Sequence, residues 1–180
     1  MGWKGCLFPL ALPLSVLVIG SWRLAVVDRS PSPQPAFPGF AQDLGPDYTQ
    51  APPGTYPTCQ DDPALADLLL DEGRRLGIMV KAGQPELPGK DATYRAEPGR
   101  LGPITIKYRP MSPVVRCMLI NHEFIHVLQH LQGDLKGVPP LGWSTAHPDP
   151  IPQEAEAYGH QHRVGYVLSL LQATPRTSAN

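Results

Sequence analysis

The chain has no excess of either charge. Fifteen Lys and Arg stand against sixteen Asp and Glu, a formal net charge of −1, so the basic footprint of a nucleic-acid binder is missing. It also lacks an uninterrupted apolar run of the roughly 20 residues that cross a bilayer. The run from Cys6 to Ile19 is short and is broken by Pro9 and Pro13. Cysteine is scarce, three residues in 180, so no more than one bridge can form within the chain. A sequence of this length has room for one globular domain plus whatever its ends add.

Proline is abundant instead. The 23 prolines are unusual for a compact domain and mark loop and linker sequence. Residues 28–61 hold Ser30-Pro31-Ser32-Pro33-Gln34-Pro35 and Ala51-Pro52-Pro53-Gly54, which read as a semi-rigid tether rather than core. Ahead of them, Lys4, the apolar run and Gly20-Ser21 follow the order of a secretory signal. Residues 1–27 are expected to be a signal peptide, or an uncleaved membrane anchor running through Trp22 to Val27 despite Arg23. Either reading puts the domain outside the cytoplasm, as a periplasmic, secreted or membrane-anchored protein. With Cys6 in the leader, Cys59 and Cys117 remain as a pair suited to a disulfide. The alternative is two free thiols, since an unpaired cysteine is common in an apolar helix.

The segment Asn121-His122-Glu123-Phe124-Ile125-His126 fits the pattern His-Glu-x-x-His. On a helix, residues four apart share a face at roughly 5–6 Å between Cβ atoms. His122 and His126 can therefore aim two imidazoles at one metal ion, and Glu123 can reach a metal-bound water as general base. The flanks predict a helix: Ser112-Pro113 is an N-cap followed by Pro at the first helical position, and Gly133 is a stop. Val114, Met118, Ile120, Phe124, Ile125, Val127 and Leu128 leave almost no polar side, so the helix should be buried. Polar groups inside such a helix are costly unless partnered. A shared metal gives all three a partner; the plainer reading is two ordinary histidines.

The folded domain is expected over residues 62–174, with 175–180 as a tail. Asp62-Pro63 starts a first helix that ends near Gly77. Strands are expected at Ile78–Val80, Ala92–Ala96 and Ile104–Tyr108. The last of these directly precedes the His-Glu-x-x-His helix, where a strand edge can hold an extended peptide. After a long irregular stretch, Pro152 opens a second helix running from Gln153 to about Gln172. That helix should supply a third ligand, because catalytic zinc takes three protein ligands and keeps one position for water. The candidates are Glu154, Glu156, His160 and His162. Glu154 shares the apolar face with Ala157, Gln161, Val164 and Leu168 and is favoured; Glu156 falls on what reads as the more solvated side.

His122-Glu123-Phe124-Ile125-His126 followed by Glu154 on a later helix resembles the gluzincin branch of the zincin metallopeptidases. The resemblance covers about Ser112 to Leu171 and the strand at Ile104–Tyr108. It departs from the family at Tyr158, where many members carry Asp, and it lacks the metzincin extension, with Gln129 and Gln132 in place of Gly and His. The resemblance implies an α+β, zincin-like fold with a small sheet against two principal helices. It implies Zn2+ held by His122, His126 and Glu154, with Glu123 activating water and a peptide or protein as substrate. An oxyanion donor is needed as well, for which Tyr158, His160 and His162 are candidates. The rival expectation is a tethered metal-binding module without turnover, in which a fourth ligand such as His160 or His162 closes the site.

Overall fold

The computed structural model describes residues 45–176. The expected leader, the first part of the tether and residues 177–180 lie outside the described residues. The order of elements is α1 (Leu65–Arg75), β1 (Val80–Ala82), β2 (Ala92–Tyr94), β3 (Ile104–Ile106), α2 (Pro113–Gln132), α3 (Pro152–His160) and α4 (Val164–Ala173). The domain is α+β, with four helices and a three-stranded sheet. None of the described helices is long and apolar enough to cross a membrane.

Helix α2 is the central element and follows its sequence signals. Ser112 Oγ accepts from Val115 N–H at 3.3 Å, Pro113 occupies the first turn and Gly133 ends the helix. Its middle is buried from Ile120 to His130. Helix α1 packs on it through Leu69, Leu70 and Gly73. A Cβ on Gly73 would lie 2.7 Å from Phe124 Cζ, so only glycine permits this approach. Gly77, at φ +88°, turns the chain out of α1.

The sheet has the order β1-β3-β2, with β3 parallel to β1 and antiparallel to β2. Strands β2 and β3 are shorter than the hydrophobic pattern predicts, and β1 keeps its expected length but begins two residues later. Their placement corrects one expectation. The Ile104–Tyr108 strand is central, with both edges paired, so it has no free edge for a peptide. The strand beside α2 is β2, an edge of the sheet. Tyr94 ties it down at two points: its N–H donates to Glu123 Oε2, and its hydroxyl is 2.7 Å from His130 Nδ1.

The expected second helix is two helices. The chain breaks between His160 and Val164, where neighbours take the carbonyls that a continuous helix would use internally. Asn121 Nδ2 is 2.9 Å from Gln161 O and 3.4 Å from His160 O, and Cys59 N–H donates to His162 O. The apolar pattern alone could not reveal this, because both halves turn a buried face inward.

The segment from Tyr48 to Cys59, expected as tether, is docked on the domain. Tyr48 is buried and bonds Thr174 through its hydroxyl, while its carbonyl accepts from Trp143 Nε1. Gln50 O accepts from the Tyr166 hydroxyl and Pro57 O from Gly165 N–H. Prolines remove backbone donors without preventing such contacts, which need only carbonyls and rings. Cys59 and Cys117 are joined by a disulfide at the end of this segment, with a Cα–Cα distance of 5.7 Å.

Candidate metal centre

Helix α2 presents His122 and His126 one turn apart, with their Nε2 atoms 3.1 Å from each other. Glu154, in the first turn of α3, closes the triangle: its carboxylate oxygens are 3.5 Å from His122 Nε2 and 3.4 Å from His126 Nε2. The three ligand atoms lie within 4.8 Å of one another. Two basic nitrogens and a carboxylate facing one point are a donor set for a divalent cation. The buried Glu154 Oε2 has no hydrogen-bond partner, as an acceptor aimed at a cation would. The residues present therefore fit a metal ion.

The orientation of His126 is set from behind. Gln129 Nε2 donates to Gln153 O at 3.0 Å and to Glu156 Oε2 at 2.8 Å, so its Oε1 must accept. His126 Nδ1, 2.7 Å from that Oε1, therefore carries the hydrogen. The Nε2 lone pair then faces Glu154 and His122, the arrangement that metal-ligating histidines need. Gln129 drew notice in the sequence only as a mismatch to a longer motif. No local pattern announced that it would hold the imidazole.

Glu156 is not on a solvated face. It is 2% exposed and receives four hydrogen bonds, from Gln129 Nε2 and the N–H groups of Leu141, Gly142 and Trp143. The loop before α3 folds back over the helix and covers the side that the helical pattern assigns to water. Glu156 is thereby turned away from the histidines and Glu154 toward them.

Glu123 is 4% exposed and lies beside the ligand group. Burial pushes its carboxyl pKa up, while the His122 and His126 charges and the Tyr94 N–H pull it back. The His122 and His126 imidazoles facing its carboxylate hold Glu154 far below the usual carboxylate range. Burial alone would lower His126, but the facing Glu154 carboxylate and the Glu123 charge outweigh it and raise the pKa.

A cleft of about 280 Å³ opens over the group, lined by Lys90, Ala92, Tyr94, Leu119, Glu123 and Tyr158 among others. Of the three expected oxyanion donors, only Tyr158 reaches it. Its ring lies 4.4 Å from that of His122, and its hydroxyl accepts from Lys90 Nζ at 2.9 Å. His160 instead faces Ser144 O at 3.0 Å and packs on Trp143; His162 does not line the cleft. Lys90 lies in a loop far from the motif, where nothing in the sequence marked it.

The fold and the site define an α+β domain with a buried His-His-Glu group able to hold a metal ion. Compared with protein-family models, curated proteins and solved structures, the chain matches none of them.

Proposed function

We propose that the protein is a zinc-dependent metallopeptidase of gluzincin type. One observation carries the reading: three ligands converge at the floor of an open cleft, with a buried carboxylate that is not a ligand beside them. A closed structural site would need a fourth protein ligand. Among the described residues the group has three members. Zinc held there supplies a Lewis acid for the scissile carbonyl and brings a water's pKa to about 7.

The chain's own residues supply the remaining steps. Glu123, anchored by the Tyr94 N–H, takes the proton of the attacking water and passes it to the leaving amine. The Tyr158 hydroxyl spends a lone pair on Lys90, so its own proton is available for the oxygen of the carbonyl under attack. The β2 edge lines the cleft through Ala92, Thr93 and Tyr94 and suits an extended peptide. The disulfide is consistent with an exported protein.

The test is Glu123→Gln. Zinc content and fold should persist, because Glu123 is not a ligand. Turnover of a broad peptide library should fall by at least about 10²-fold, the low end for general-base catalysis. A wild type that binds stoichiometric zinc yet cleaves nothing in the library defeats the peptidase reading. The non-catalytic metal-binding module would then stand.

A further inference from the structure

A second groove lies on the far side of the sheet, beside β1. Its volume is about 570 Å³, larger than the cleft over the metal centre. Five of the chain's fifteen Lys and Arg line it: Arg74 from α1, Lys81 from β1, Lys107 and Arg109 after β3, and Arg116 from α2. No acidic side chain lines it. In a chain of net charge −1, that is a marked local concentration of positive charge.

Three of these cations have ion-pair partners that do not line the groove: Arg74 with Asp71, Arg109 with Asp91 and Arg116 with Asp67. The Arg74 and Arg116 pairs are exposed, hence weak and screened, so a bound carboxylate can replace the partner. Arg109 is held by both oxygens of the partly buried Asp91 and keeps its own. Lys81 and Lys107 form no ion pair among the described residues. The groove keeps an excess of two positive charges even with these pairs counted.

Between the cations the lining is apolar. Val80, Ala82, Ile106 and Met111 line the groove. Tyr108 within it is 93% exposed, and Met79 nearby is 67% exposed, where apolar side chains of this size commonly mark an interaction surface. One wall is a sheet edge. Met79 O accepts from Ile104 N–H and Gly83 N–H donates to Ile106 O. By the alternation of a parallel ladder, Lys81 also faces β3, while the backbone groups of Val80 and Ala82 face outward.

We propose that this groove binds an extended acidic segment of a partner protein, which adds a strand at β1 and alternates carboxylates with small apolar side chains. The cations from four regions match the carboxylates, and the apolar lining takes the alternate side chains. The outward backbone groups of β1 supply main-chain hydrogen bonds. A sulfated sugar or a lipid headgroup offers the charge but cannot use that edge. The groove and the metal centre border opposite edges of the sheet, so the inference does not rest on the peptidase reading.

The test is fluorescence anisotropy on the full-length chain with a labelled peptide of about ten alternating Glu and Val residues. Two comparison peptides carry Gln for Glu, or N-methylated backbone at alternate positions. The Glu peptide should bind at least about tenfold more tightly than either, and binding should weaken between about 50 and 200 mM salt as charges are screened. The double substitution K81Q/K107Q should cost about tenfold, since neither side chain is held in an ion pair among the described residues. The peptide comparisons use unaltered protein and do not depend on that variant folding. Equal binding of the Glu and Gln peptides, or indifference to N-methylation, overturns the proposal. So does binding of a sulfated oligosaccharide or of phosphatidylglycerol vesicles with none to the Glu peptide.

Discussion

At the residue scale, the candidate metal centre depends on groups that would touch an ion and on groups that aim them. His122→Ala, His126→Ala and Glu154→Ala each remove a converging ligand and should lose stoichiometric zinc in elemental analysis. Full zinc in any of the three refutes the donor set. Gln129→Leu leaves all three ligands but frees His126 Nδ1 from its acceptor. Outer partners of this kind are worth about 10–100-fold in metal affinity, which competition with a chromophoric chelator would read. An unchanged affinity would show that the His126 ring is held by packing alone. Glu156→Ala acts differently. It strips four donors of a buried acceptor, and a lost buried polar partner costs about 1–3 kcal/mol per group left unpaired. The domain should lose about 3 kcal/mol or more in urea unfolding, where a truly solvated Glu156 would cost next to nothing.

At the element scale, α2 is nearly self-specifying, while the break between α3 and α4 is imposed from outside. The Cys59–Cys117 bridge ties the docked Pro-rich segment to α2, and Cys59 N–H holds His162 O at that break. Closing a loop between residues 58 apart in sequence is worth about 2–4 kcal/mol by the usual range for a disulfide. Cys59→Ala/Cys117→Ala should lower stability by that amount and speed proteolysis within residues 48–59. If the double variant keeps the wild-type denaturation midpoint and protease pattern, the segment is held by Tyr48 and its hydrogen bonds rather than by the bridge.

At the scale of the whole molecule, the charges at the metal centre couple folding to pH. His126 has a raised folded-state pKa, so its contribution is complete below the ordinary histidine range and is lost as pH rises through the raised value. Glu154 is depressed; its contribution is present above the ordinary carboxylate range and is lost only in strong acid. Glu123, raised chiefly by burial, is disfavoured in its ionised form and again lowers stability as pH rises. Burial lowers the pKa values of His130, His160 and His162 and gives the opposite trend over the same range. The contribution of the site is therefore read as the stability difference between metal-free wild type and His126→Ala, which should shrink on going from about pH 5 to about pH 8. Zinc needs deprotonated ligands, so the stabilisation by added zinc should grow over the same range. Calorimetry with and without chelator would show both trends, and a difference from His126→Ala that grows with pH would contradict them.

The local code determined what depends on near neighbours in the chain. Ser112, Pro113 and Gly133 delimit α2 because caps and stops act within a turn. His122 and His126 share a face because helical periodicity puts them there. The apolar face points to Glu154, but the companion reading of a solvated Glu156 is wrong, because the 141–143 loop covers that side of the helix. Tertiary structure decided what depends on distant parts meeting. Only the folded chain brings the 141–143 loop onto Glu156, Gln129 against His126 and Lys90 against Tyr158. Only the sheet order makes β3 central and leaves β2 at the metal cleft and β1 at the basic groove. The physical reason is that side-chain spacing reports a residue's position on its own element, whereas burial and hydrogen-bond partners depend on which other elements arrive beside it.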